Sequence, residues 1–254
     1  MSEVNSKLNG RNIIVVPCYN EARRLATETF YEFTEENPNY DFLFVNDGSK
    51  DHTLDVLNEL KSRCPARFHI VDNEKNLGKG NSIRAGILRA SELNYSIIGY
   101  LDADLATPLH EARRLIEILK NEDKFILILG SRVDKILGSN IKRSRLRWIF
   151  SRVLSIVFYF VTRINAYDTQ CGAKFFRNEI SEIIARDRFY TRWLFDIEIL
   201  FRIQNSQYSL YENCREFPIF YWRDVGDSKL SLFDFVLIFR ELKMILKKYR
   251  NKQN

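Results

Sequence analysis

Ser96-Ile97-Ile98-Gly99-Tyr100-Leu101-Asp102-Ala103-Asp104 is a short apolar run that stops on two carboxylates separated by one alanine. A run of this length bounded by polar residues reads as a buried strand, and its acidic end would be delivered into a crevice. Hard divalent cations take oxygen ligands, usually one or two carboxylates completed by phosphate oxygens of a substrate. The triplet therefore suits a metal-bound nucleotide diphosphate better than a cage made wholly of protein. Taken alone, such a pair is more often a solvated turn, where aspartate is common.

Outward from this run the chain alternates β-branched and aromatic stretches with helix-period segments. Strands are expected at 12–16, 40–45, 67–71, 95–101 and 124–129, and helices at 21–36, 53–63, 80–92 and 109–121. That alternation builds an α/β fold, a mostly parallel sheet flanked by helices. Asn20, Ser49 or Asp51, and Thr107 followed by Pro108 are the expected helix starts, because short polar side chains satisfy orphan amides and proline suits a first turn. Pro17 to Glu21, Asn46 to Ser49, Asn73 to Lys79, Asp102 to Asp104, and Ser131 with Arg132 each follow a strand, so all gather at the carboxyl edge where open α/β sheets bind ligands. After Ser131 the alternation stops. A basic, aromatic helical stretch runs to 164, a turn-rich segment to 172, and then helix, loop and a last amphipathic helix are expected.

With 254 residues, 45% of them hydrophobic, the chain can fill a sizeable core, and only its polar ends are expected to fray. A net charge of +6 and a pI near 9.1 imply an anionic partner without choosing among nucleic acid, nucleotide and acidic membrane. Basic residues crowd at Lys142, Arg143, Arg145, Arg147 and Arg152, and again at Arg240, Lys243, Lys247, Lys248 and Arg250. Cys18, Cys64, Cys171 and Cys214 are scattered, as are His52, His69 and His110, which argues against a zinc site or a disulfide framework. No basic-then-apolar leader opens the sequence, so a cytosolic setting is expected. The longest apolar run, 153–162, falls short of the ~20 residues that span a bilayer; it is either a buried helix or one lying at a membrane interface.

Several strand-end segments have two readings. In Val16-Pro17-Cys18-Tyr19-Asn20-Glu21, Tyr19 offers a stacking surface and Glu21 an acceptor for a nucleobase; the competing reading makes Asn20 only a cap and Glu21 a favourable charge at a helix start. Asp47 in Asn46-Asp47-Gly48-Ser49 could meet the imide N–H of uracil or simply close a turn. Asn76-Leu77-Gly78-Lys79-Gly80 sets a lysine where amides and cation favour phosphate. It lacks the third glycine of a dinucleotide fingerprint, which disfavours a nicotinamide cofactor.

Taken in order, these residues resemble the inverting family 2 glycosyltransferases. The element Asp168-Thr169-Gln170-Cys171-Gly172-Ala173-Lys174-Phe175-Phe176, then Arg192-Trp193-Leu194-Phe195-Asp196-Ile197-Glu198 and Asp227-Ser228-Lys229-Leu230, is similar to the dolichyl-phosphate β-glucosyltransferase branch. The resemblance implies a GT-A fold, Rossmann-like, with a C-terminal acceptor-binding helical region. It implies a UDP-sugar donor, Mg²⁺ or Mn²⁺, a polyprenyl or dolichyl phosphate acceptor, and no nucleic acid. By it, Pro17, Tyr19, Glu21, Asp47, Lys79, Asp102, Ala103 and Arg132 hold the nucleotide sugar, while Asp104 is the chief metal ligand with Asp102 beside it. Residues 1–132 would form the nucleotide-sugar half, 133–230 the acceptor half of the same domain, and 231–254 a basic amphipathic helix and tail. Ala106 stands where related mannosyl-phosphate synthases carry glutamine, and the N-terminal anchor of eukaryotic glucosyl members is not expected here.

The expected reaction is a single displacement at the anomeric carbon of UDP-glucose, with the metal neutralising the departing UDP. Asp168 is the candidate acceptor-side carboxylate, or else a turn aspartate. Arg143 and Arg145 are candidate forks for the acceptor phosphate, or part of a solvated basic face; Arg145 and Arg152 would share a helix face beside Trp148. Asp196 and Glu198 are second choices for an acceptor cavity, or orient nearby arginines, and the 217–222 aromatic cluster is a sugar platform or a sheet-edge strand. The 232–249 segment would add attraction to anionic lipid at the cytoplasmic face, unless the core claims its apolar stripe. Transfer to a soluble saccharide or protein hydroxyl is the nearest rival. Sugar nucleotidyl transfer is disfavoured by the absence of a glycine-rich phosphate loop after the first strand, and a non-enzymatic RNA- or membrane-binding module leaves the strand-end carboxylates unexplained.

Overall fold

The computed structural model describes residues 10–133, 138–142, 155, 159, 166–223 and 232–249. Its first half runs β1 (Asn12–Cys18), α1 (Thr27–Glu36), β2 (Tyr40–Asn46), α2 (Thr53–Arg63), β3 (Phe68–Asp72), α3 (Lys79–Glu92), β4 (Ile97–Leu101), α4 (Leu109–Asn121) and β5 (Leu127–Ser131). The expected alternation is thus the one that forms. Then follow β6 (Asn140–Lys142), β7 (Ala173–Arg177), α5 (Ser181–Ala185), α6 (Phe195–Gln204), α7 (Leu210–Asn213), β8 (Cys214–Pro218), β9 (Tyr221–Arg223) and α8 (Leu232–Tyr249).

The main sheet has the order β3-β2-β1-β4-β7-β5-β8, with β7 antiparallel to both its neighbours and the other pairs parallel. Because successive side chains of a strand point to opposite faces, β1 and β2 feed two cores at once. Ile13, Val15, Leu43 and Val45 pack with Ile83 and Ile87 of α3, Ile199 and Ile203 of α6, and Ile238, Leu242 and Ile245 of α8. Ile14, Val16, Phe42 and Phe44 pack with Phe30 of α1, Leu57 and Leu60 of α2, and Leu115, Ile116 and Leu119 of α4.

Three expectations need correction. The helix expected from 21 starts at Thr27, because the intervening amides find side-chain partners across the β2 loop: Glu21 N donates to Thr53 Oγ1 at 2.8 Å and Ala22 N to Asp51 Oδ2 at 3.2 Å. Asn20 is accordingly no helix start; it adopts φ +55° and its Oδ1 accepts from Lys50 N at 2.9 Å, joining two strand-end loops. The residues after Gly172, expected to be helical, form β7 instead. Of the two readings of the 217–222 cluster, the sheet-edge strand holds for 217–218, which end β8, while 221–222 join β9 in a separate two-stranded ladder with β6. Among the described residues no helix is long and apolar enough to cross a membrane.

Candidate active site

The acidic triplet leaves β4 in a tight turn: Leu105 N donates to the Asp102 carbonyl at 3.2 Å, and Leu105 is held at φ +50°. A left-handed leucine costs about 1–2 kcal/mol, so the surrounding contacts must impose it. One of them is Asp104 Oδ1, which accepts from Ala106 N at 3.0 Å. Ala103 is buried in the core, leaving its backbone as the part that can meet a ligand. Asp102 Oδ1 is 2.5 Å from Lys79 Nζ, which reaches it from the first turn of α3. Gly172 makes that position possible, since a Cβ there would lie 2.3 Å from Asp102 Oδ2.

Burial pushes the Asp104 carboxyl above its ordinary value, and the neighbouring charge of Asp102 pushes it further. Glu21 is raised as well, chiefly by burial and in part by Asp104 and Asp51, against the Arg24 guanidinium 2.7 Å from its Oε1. Its other oxygen, Oε2, is buried without a hydrogen-bond partner. Desolvated carboxyls that repel one another fit a divalent cation, which would reverse both effects. Among the described residues no group of three or more His, Cys, Asp or Glu could hold an ion unaided. The set is that of an ion bound by one or two carboxylates and completed by substrate phosphate.

Tyr19 is 41% exposed at the end of β1, one residue beyond Cys18 and two beyond Pro17. Asp47 is buried, and its carboxylate accepts from Leu77 N at 2.7 Å and Gly78 N at 2.9 Å. It therefore fixes the loop that carries Lys79.

Antiparallel β7 brings its leading segment, 168–172, to the same carboxyl edge as the ends of β1 to β5. Asp168 is 3% exposed and forks Arg132: Nε lies 2.6 Å from Oδ2, Nη2 lies 2.8 Å from Oδ1, and the Arg132 backbone N donates to Oδ2 at 3.0 Å. Burial alone would raise the Asp168 carboxyl, but the Arg132 charge and hydrogen bonds hold it below its usual value. Arg132 also lies over the Trp222 ring, 5.2 Å from its centroid. Glu216 of β8 anchors the segment by accepting from Asp168 N at 2.7 Å.

Asp196 and Glu198 face the interior. Asp196 accepts from Lys174 Nζ at 2.5 Å and from the Tyr100 hydroxyl, and Glu198 accepts from Thr191 N at 2.7 Å. Lys174, Tyr100 and Glu216 were given no role by sequence reasoning, although a lysine flanked by Ala173 and two phenylalanines in an apolar run is itself a sign of a buried partner. Arg143, Arg145, Arg147, Trp148, Arg152 and the 153–162 run, apart from residues 155 and 159, lie outside the described residues, as does the 227–230 segment.

A three-layer α/β fold with carboxylates, a lysine and an arginine on one edge is the architecture of the GT-A glycosyltransferases. Residues 13–184 match the family Glycosyl transferase family 2, and the chain belongs to it. It is 31% identical over 233 residues to a dolichyl-phosphate beta-glucosyltransferase of Trichomonas vaginalis, covering 86% of this chain and 65% of the relative. It is 30% identical to the enzyme of that name from Dictyostelium discoideum, covering 87% of this chain and 68% of the relative. The chain thus spans about two thirds of the length of these relatives. Glucosyl-3-phosphoglycerate synthase from Mycobacterium tuberculosis, solved with Mg²⁺ and UDP, superposes with a TM-score of 0.69 at 14% identity, over 98% of this chain and 82% of that one. At that identity the likeness is one of fold.

Proposed function

We propose that this chain transfers glucose, with inversion, from UDP-glucose to a polyprenyl or dolichyl phosphate, working peripherally at the cytoplasmic face of a membrane. The observation that carries the reading is the meeting of the Asp102–Asp104 turn, Lys79 and the Asp168–Arg132 fork at one sheet edge. The names of the relatives support the donor and the acceptor class.

Asp104 and Asp102 would hold the divalent ion, Mg²⁺ or Mn²⁺, which supplies charge neutralisation for the departing nucleoside diphosphate. Lys79 adds a cation beside the same oxygens. Tyr19 and Glu21 would meet the base, and Asp47 holds the loop that carries Lys79. Arg132, braced by Asp168, presents positive charge from the end of β5 for a phosphate. A phosphate monoester, with a second pKa of about 6, is already largely dianionic at neutral pH, so this acceptor needs little help from a base. That suits a site whose acceptor-side carboxylate is committed to an arginine.

The direct test incubates the protein with labelled UDP-glucose and polyprenyl phosphate, with and without Mg²⁺. Label entering an organic-extractable product only with metal is the expected result. Label that moves instead to a soluble saccharide would replace this acceptor class.

A further inference from the structure

Residues 189–194 connect α5 to α6 without forming helix or strand. Connectors usually leave their amides to water. Here all six backbone N–H groups in a row are accepted by side chains. Phe189 N donates to Asn81 Oδ1 of α3 at 3.0 Å, and Tyr190 N and Thr191 N donate to Glu198 of α6 at 3.3 and 2.7 Å. Arg192, Trp193 and Leu194 donate to the single carboxylate of Glu241 in α8, at 2.9, 3.0 and 3.1 Å. Three helices thus fix one short connector, and such support is how a fold holds a side chain in place for a ligand.

Arg192 is the side chain so presented. It is exposed, and its Cγ lies 3.8 Å from where a Gly78 Cβ would be, so the stem crosses the glycine turn that leads into Lys79. Its guanidinium has no partner among the described residues. A cavity of about 260 Å³ opens between this arginine and the turn, walled by Leu77, Gly78 and Gly80 on one side and Tyr190 and Thr191 on the other. The carboxylates that reach this turn and connector, Asp47 and Glu241, are taken up by backbone amides, and a guanidinium fork matches two oxygens of a phosphate.

We infer that Arg192 binds a substrate phosphate in this crevice and that Glu241, through its grip on the 192–194 amides, is the positioning residue that holds it there; the inference rests on the glycosyl-transfer reading above. The phosphate belongs either to the donor diphosphate or to the acceptor monoester. Two measurements separate them. Calorimetry with Mg²⁺ compares UDP with uridine, and steady-state kinetics yields KM for polyprenyl phosphate.

Arg192→Gln should weaken one of the two, UDP affinity with uridine unchanged or acceptor KM, by about ten- to hundred-fold, the loss expected for a hydrogen-bonded charge. Arg192→Lys should recover part of it. Glu241→Ala should fail in the same measurement, and the double variant should be no worse than Arg192→Gln, since the two act as one unit. An Arg192→Gln protein within two-fold of the unaltered one in both measurements overturns the assignment. A Glu241→Ala protein that melts earlier but keeps both values reduces Glu241 to a structural brace and overturns its part. Failure of the unaltered protein to bind UDP at all overturns the underlying reading instead.

Discussion

At the scale of single residues, Asp168 shows how one carboxylate can stand between two readings until its partner is known. Its sequence neighbourhood is that of either an acceptor-side group or a turn, and nothing local indicates Arg132, 36 positions away. The pair is well buried, with side-chain exposures of 17% and 3%. Removing one member of a buried pair strands the other, at a cost of about 3–5 kcal/mol. Asp168→Ala should lose stability of that order in urea denaturation. Linkage fixes the pH window: the folded-state pKa lies below the ordinary 3.8, so the stabilisation is full above that value and disappears as pH falls through the lower folded value. The gap between the two proteins should stay constant from pH 8 to pH 5 and narrow only in stronger acid; a gap already closing near pH 6 would contradict the depressed pKa. Turnover gives an independent reading. If the acceptor arrives as a dianion, Asp168→Asn slows the reaction less than Asp104→Asn does, and the reverse order in kcat would favour a hydroxyl acceptor that needs a base, an effect of about 10²- to 10⁴-fold.

At the scale of elements, β1 to β5 were legible because each is a β-branched or aromatic run bounded by turn residues, and parallel strands buried on both faces need no finer pattern. Strand β7 was not. Its sequence, Ala173-Lys174-Phe175-Phe176-Arg177, carries a lysine that only Asp196 and the Cys171 carbonyl make tolerable inside, and both are fixed by tertiary structure rather than by local propensity. The gathering of the strand ends at one edge was legible in the sequence, whereas the clasp of Glu241 on 192–194 was not, because its members lie as much as 49 positions apart with no local pattern linking them. The close approach of β4 to β7 can be tested at Gly99, which pairs with Phe175. A Cβ there would lie 2.1 Å from the Phe175 ring and 2.8 Å from the Lys174 carbonyl oxygen. Gly99→Ala should therefore destabilise by roughly 1–3 kcal/mol, the usual cost of overpacking. Phe175→Leu in the same chain should restore part of that loss. Equal melting of Gly99→Ala and the unaltered protein would mean that the two strands part more easily than their packing implies.

At the scale of the whole molecule, the question is what the positive charge serves. The apolar stripe of α8 is claimed by the core: Ile238, Leu242, Ile245 and Tyr249 are buried at the spacing of one helix face. The opposite face carries Arg240, Lys243 and Lys247 in the open, with Phe239 and Met244 exposed at 50% and 42%. Basic side chains with apolar neighbours suit an anionic lipid surface, where each lysine contributes about 1 kcal/mol. Co-sedimentation with vesicles rich in phosphatidylserine should capture the protein at low salt and release it as ionic strength rises, because attraction between exposed charges fades beyond a Debye length of about 8 Å at physiological salt. Lys243→Gln combined with Lys247→Gln should lower the partition roughly thirty-fold, the equivalent of two such contributions. Neither lysine belongs to the site, so transfer to a short-chain, water-dispersed acceptor should proceed in the double variant as before. If the unaltered protein ignores anionic vesicles at low salt, the peripheral-membrane part of the proposal fails while the chemistry at the sheet edge stands untouched.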